Sequence, residues 1–132
     1  AYIESALDVL QVERIDHGVR CTDSPALVQR LARDRVPLTV CPLSNVKLRV
    51  FPTMAAHNLP ALLDAGLMAT VNSDDPAYFG GYLNDNFLAT FEALPQLGVR
   101  EAWQLMHNSF EASFATAEAK AGWMAQLDQA FR

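Results

Sequence analysis

The chain has 132 residues, 51% of them hydrophobic and 19% charged, with 15 acidic against 10 basic side chains and a formal net charge of -5. That balance fits one globular domain or part of one, excludes a disordered chain, and argues against a nucleic-acid or anionic-membrane surface, which needs clustered Lys and Arg. Apolar runs of a few residues are too short to span a bilayer, and the absence of a basic, apolar leader sets the expectation of a cytoplasmic protein.

Taken in chain order, Ile3, Leu7 and Leu10 recur at helical spacing and predict an amphipathic helix over 1–10. The chain therefore opens at Ala1 inside a helix, which sets the expectation of further sequence upstream. Val12 to Asp16, closed by His17-Gly18, predicts a first strand. Ser24-Pro25 pairs an N-cap with a proline at the first helical position, and Leu27, Val28 and Leu31 give the helix that follows, to about Asp34, its apolar stripe. Val36 to Cys41 predicts a second strand, with Pro37 at its start and Pro42 ending it.

Residues 42–56 read as a long loop with room for a short helix. Asn58 is the predicted N-cap of the next helix, Pro60 lies in its first turn and Gly66 stops it. Met68 to Val71 predicts the third strand, closed by Asn72-Ser73-Asp74-Asp75-Pro76. Three helices follow, near 83–94, 99–112 and 116–131. In the second, Val99, Ala102, Trp103, Met106 and Phe110 share the predicted apolar face; in the third, Trp123, Leu127 and Phe131 do.

Strands alternating with helices imply a parallel sheet with helical crossovers. A closed (β/α)₈ barrel needs eight strands and roughly 250 residues. The chain is thus either a small three-stranded α/β domain or the last part of a barrel. Each predicted strand ends in a polar cluster: Asp16-His17-Gly18, Cys41-Pro42-Leu43-Ser44-Asn45 and Asn72-Ser73-Asp74-Asp75-Pro76. Ligands of parallel α/β folds bind at the carboxyl ends of the strands, so the three clusters are expected to converge.

Each cluster has a plain reading beside a chemical one. Asp74-Asp75 is either a turn with a helix N-cap or a metal ligand beside a hydrogen-bond acceptor, since a divalent cation relieves the repulsion of adjacent carboxylates. His17 is either a turn histidine or a general base, because imidazole titrates near neutral pH. Ser44 and Asn45 either stabilise their loop or touch a ligand. Cys41 has no evident cation or capping helix to make it a nucleophile, and Cys21 and Cys41 read as two reduced, buried thiols. His57 and His107 read as structural or solvent-exposed. One Asp and one His do not make a closed zinc site, which wants three or four protein ligands.

Together, Glu13-Arg14-Ile15-Asp16-His17-Gly18, Cys41-Pro42-Leu43-Ser44-Asn45 and Asn72-Ser73-Asp74-Asp75-Pro76 resemble the last three strand-end motifs of the adenosine/adenine deaminase family, in order and spacing and over essentially all of the chain. Val46-Lys47-Leu48-Arg49-Val50-Phe51 and Asp75-Pro76-Ala77-Tyr78-Phe79-Gly80-Gly81-Tyr82 resemble the adenine deaminase branch. The resemblance implies a zinc-dependent TIM (β/α)₈ barrel that hydrolyses the exocyclic amine of a purine, of which this chain is the last three βα units plus the closing helices of a single domain. It implies Asp74 as a zinc ligand, Asp75 as the acceptor for a purine ring nitrogen, His17 as the histidine that activates the zinc-bound water, and Ser44 and Asn45 in a loop near the substrate. It also implies one Zn²⁺ whose histidine ligands lie upstream of Ala1 and a purine as small-molecule partner; a small parallel sheet with open edges, for its part, is expected to self-associate or to pair with the missing N-terminal part. Adenosine deamination, and a non-catalytic barrel fragment or α/β binding module, are the alternatives.

Overall fold

The computed structural model describes residues 2–132. The predicted helix over 1–10 has its first residue, Ala1, outside that range. From Tyr2 it forms a short α1 (Tyr2–Ser5) that widens into a π-helical turn, Ala6–Leu10. The first strand, β1, is Ile15–Asp16, and a 3₁₀ turn at Val19–Asp23 leads into α2 (Pro25–Arg33). Ser24 caps α2 as expected, its hydroxyl accepting from the Leu27 N–H at 3.4 Å. Then come β2 (Leu38–Val40), α3 (Pro42–Lys47), a 3₁₀ turn at Met54–Ala56, α4 (Leu59–Asp64) and β3 (Ala69–Val71). The chain closes with α5 (Pro76–Phe79), α6 (Leu83–Ala93), α7 (Val99–Glu111) and α8 (Ala117–Ala130).

The three strands form one parallel sheet in the order β1-β2-β3, with Ile15 beside Leu38 and Leu38 beside Ala69. Each strand is shorter than predicted, yet the ladder runs on past its ends. Ile15 N–H donates to Pro37 O, His17 N–H to Thr39 O and Asn72 N–H to Val40 O. Pro37 has no N–H to give, so it sits where only its carbonyl is needed.

Strand side chains alternate between two faces. Leu38, Val40, Ala69 and Val71 join the apolar cluster, with Leu27 and Leu31 from α2, Leu59 and Leu62 from α4, and Leu105 from α7. Leu31, Leu38, Leu59, Leu62 and Leu105 are fully buried, each contributing roughly 1.5–3 kcal/mol. The other face carries Asp16, Thr39 and Thr70, whose hydroxyls bond within the sheet: Thr39 donates to Asp16 at 2.9 Å and Thr70 to Leu38 O at 3.1 Å.

The short helix for which 42–56 had room is α3, followed by a loop and a 3₁₀ turn; Pro42 presets its first helical φ and no further Pro or Gly interrupts before Pro52. Two expectations need correction. The face of α7 that meets the sheet is Leu105 and Asn108, not the predicted stripe, and the Asn108 amide donates to Ala69 O at 2.8 Å. Trp103 and Phe110 turn instead to α8, where the indole donates to Asp128 at 2.9 Å and Phe110 lies 5.7 Å from Trp123, while Val99 stays exposed. A helix packed between a sheet and another helix has two buried flanks, and periodicity alone does not say which is which. Asn58 stands at the predicted cap position, but its side chain donates to Val19 O and Thr22 Oγ1; the first N–H of α4, that of Leu59, goes to His57 Nδ1.

Candidate active site

The in-register sheet brings the residues after β1, β2 and β3 to one edge. There a cleft of about 420 Å³ is lined by Asp16, His17, Thr39, Cys41, Asn72, Ser73, Asp74 and Leu83. Another cleft, about 510 Å³, lies at the amino ends of β2 and β3, between Arg35, Gly66 to Met68 and α7. Its charged lining is Arg35, Asp64, Arg100 and Glu101, and in parallel α/β folds that end serves stability rather than chemistry.

His17 and Asp74 share an unusual backbone. Both are non-glycine residues in the left-handed region, at φ 58° and 57°. Gln11, Arg35 and Arg49 also adopt positive φ, but each follows a helical segment, where this conformation is a common terminator. His17 and Asp74 follow strands, and left-handed non-glycine residues cluster at sites where geometry matters more than comfort. Gly18, at φ 73°, completes the turn after β1; a Cβ there would lie 2.7 Å from Leu38 Cδ2, so only glycine lets the chain pass this close to β2.

Among the described residues, His17, Cys41 and Asp74 form a cluster whose donor atoms lie within 4.8 Å of one another. His17 Nε2 stands 3.7 Å from Asp74 Oδ2. The same Oδ2 accepts a 2.6 Å hydrogen bond from the Ser44 hydroxyl, a short, charge-assisted contact that fixes the carboxylate. As a donor set, imidazole and carboxylate suit a zinc-like ion, but as part of a site rather than the whole of one. Burial pushes the Cys41 thiol up to about 12, with the Asp74 charge adding to it. Its S–H donates to Thr39 O at 3.4 Å, so it stays a protonated thiol, consistent with the non-nucleophilic reading. Cys21 is likewise buried and free.

The predicted residues divide. Asp74 and His17 meet in the cleft. Asp75 does not line it; its Oδ1 accepts from the N–H groups of Ala77 and Tyr78 and caps α5. Ser44 and Asn45, expected beside a substrate, are 0% and 2% exposed. Helix α3 turns them inward behind the cleft, where they hold Asp74 and His17. Asn45 Nδ2 faces His17 Nδ1 at 3.5 Å, and Asn45 Oδ1 faces His57 Nε2 at 3.1 Å. Of the two readings of His57, structural or solvent-exposed, the structural one holds: it is buried, packs 4.4 Å from the Phe51 ring, and is held neutral, its basicity pushed down to about 4 by burial. Asn86 is a second buried polar support. Its amide receives the Leu43 N–H and donates to Tyr82 O, tying α3 to α6. Neither has a sequence motif; both are polar side chains whose role depends on what folds around them. His107 stays part-exposed, stacked on Trp103 and 3.7 Å from Glu111.

The sequence profile of the adenosine deaminase family matches residues 1–130. The adenine deaminase of Trichlorobacter lovleyi is 69% identical over 131 residues, covering 99% of this chain and 38% of that protein. The crystal structure of adenine deaminase from Arthrobacter aurescens superposes with a TM-score of 0.94 at 51% identity, covering 97% of this chain and 39% of the other. An amidohydrolase from Burkholderia ambifaria, solved with bound zinc, superposes with a TM-score of 0.86 at 26% identity, covering 98% and 36%. The chain therefore spans little more than a third of the proteins it matches. With a family profile covering nearly its whole length, the chain belongs to the adenosine deaminase family.

Proposed function

We propose that this chain is the C-terminal part of a hydrolytic purine deaminase that converts adenine and water to hypoxanthine and ammonia. The observation that carries the reading is 69% identity to an adenine deaminase across 99% of the chain. In the same reading, the three βα units close the end of a (β/α)₈ barrel as one domain. Helices over the apolar sheet face, a polar opposite face, and pairing of β1 and β3 on one side only support this, since parallel strands are rarely left open. The open edges are where preceding strands, or a second copy, would pair.

Asp74, on the strand-end turn after β3, is the residue of this chain that would hold the metal, with Ser44 orienting its carboxylate. When bound, zinc supplies a Lewis acid that makes a coordinated water acidic near neutral pH. His17 holds or moves a proton at Nε2, the ring atom facing Asp74. Asp75 spends Oδ1 on the cap of α5; outside the cleft lining as it is, it would have to turn Oδ2 towards the substrate to accept from a purine ring nitrogen. Leu83 and Thr39 wall the cleft beside them. The two unpaired cysteines suit a reducing, cytoplasmic setting.

The test is to purify the full-length protein, measure zinc per chain, and follow ammonia release from adenine. Zinc near one per chain with adenine turnover is the expected result. Zinc-loaded protein that releases no ammonia from adenine would refute the reading. Adenosine is the second substrate to try, because the matching profile is described as adenosine deaminase; turnover of adenosine well above that of adenine would move the assignment to the nucleoside.

A further inference from the structure

A chain of directional hydrogen bonds runs from a backbone amide to the candidate catalytic histidine. It starts at a donor whose identity is fixed: the Leu59 N–H, which lies 3.1 Å from His57 Nδ1. An amide N–H only donates, so His57 Nδ1 accepts. His57 is 4% exposed and burial keeps it neutral, so its single proton sits on Nε2. That Nε2–H meets Asn45 at 3.1 Å and requires an acceptor, which sets the amide with Oδ1 towards His57. The NH₂ group of Asn45 then faces His17 Nδ1 at 3.5 Å, a long contact but one whose polarity is now determined.

We infer that His57 and Asn45 are positioning residues that fix the tautomer of His17: Nδ1 accepts from the Asn45 amide, and the proton of the neutral ring resides on Nε2, facing Asp74. The inference rests on the proposed deaminase site and sharpens the role of His17 within it. In the neutral ring the nitrogen facing the cleft is a donor, not a lone pair. A ring in this tautomer orients an oxygen acceptor in the cleft. It becomes a base at Nε2 only if the proton already there is released to another acceptor, and Asp74 Oδ2 is the carboxylate oxygen 3.7 Å away. The arrangement also accounts for burying a histidine and an asparagine without metal or substrate contact: each polar atom of the relay has a partner of the required sense.

The test reads the tautomer directly. In the full-length protein labelled with ¹⁵N-histidine, long-range ¹H–¹⁵N spectra distinguish a pyridine-type nitrogen from a pyrrole-type one, with His17 assigned by its loss in His17→Gln. At alkaline pH, wild type is expected to show His17 with pyridine-type Nδ1 and pyrrole-type Nε2. Asn45→Asp keeps the shape but replaces the donor with an acceptor-only group, so the two nitrogens should exchange character and kcat for adenine should fall by about 10-fold. A wild-type proton on Nδ1, an Asn45→Asp protein that keeps the wild-type pattern, or an inverted pattern with unchanged kcat would each overturn the inference. The wild-type spectrum is independent of turnover, so a protein with the expected tautomer and no deaminase activity would sink the proposed function and leave the relay intact.

Discussion

The loops after β2 and β3 are both rich in small polar residues, and the fold puts them to opposite uses. After β2, Ser44 and Asn45 are buried on α3 and act on other side chains. After β3, Asp74 reaches the cleft on a left-handed backbone and Asp75 turns to the next helix. One loop supports and the other presents. Polarity at a strand end therefore does not identify a reactive group; burial and the sense of each hydrogen bond do.

The comparison can be broken first at the presenting loop. Asp74→Ala in the full-length protein should lose zinc on dialysis and cut adenine turnover by at least about 100-fold, measured by metal analysis and ammonia release. Full zinc occupancy in that variant would contradict the ligand assignment.

The support behind the cleft should respond to pH through His57, the partner of Asn45. His57 is buried and neutral, with its basicity lowered from 6.5 to about 4. The unfolded chain thus binds the proton more readily than the folded one, so the contribution is fully present above about pH 6.5 and is lost as pH falls towards about 4. The shift corresponds to about 3 kcal/mol. Urea unfolding of wild type and His57→Gln across that window should show a slope in the difference; parallel curves would mean that folding leaves the affinity of His57 for its second proton unchanged.

Ser44→Ala removes the hydroxyl donated to Asp74 and should cost about 1.5 kcal/mol, the low end for a hydrogen bond to a charged group, because the carboxylate retains some access to water. Zinc affinity should fall by about 10-fold. An unchanged zinc titration would show that the carboxylate is held without Ser44.

The smallest stability change is expected at Asp75. Asparagine caps helices about as well as aspartate, so Asp75→Asn should move the unfolding midpoint by less than about 0.5 kcal/mol. Adenine turnover should nevertheless drop if the second carboxylate oxygen meets the purine. Loss of stability without loss of turnover would reduce Asp75 to a cap.

The sequence by itself determined the alternation of strands and helices, the cap at Ser24, the stop at Gly66 and the convergence of three polar clusters, because these follow from local spacing, proline, glycine and the rule that parallel strands point the same way. His17 and Asp74 were legible for the same reason: each lies in the turn that closes a strand, His17 directly after β1 and Asp74 beyond Asn72 and Ser73 after β3. Only the tertiary structure decided which face of α7 meets the sheet, that Ser44 and Asn45 lie behind the cleft, and that His57, structural or solvent-exposed by sequence, is a buried donor. Those outcomes depend on contacts between segments far apart in the chain, such as His57 meeting Asn45 or Asn108 meeting Ala69. Local pattern carries no information about the partner across such a gap, and burial, which turns a polar side chain from ornament into support, exists only once the partner is in place.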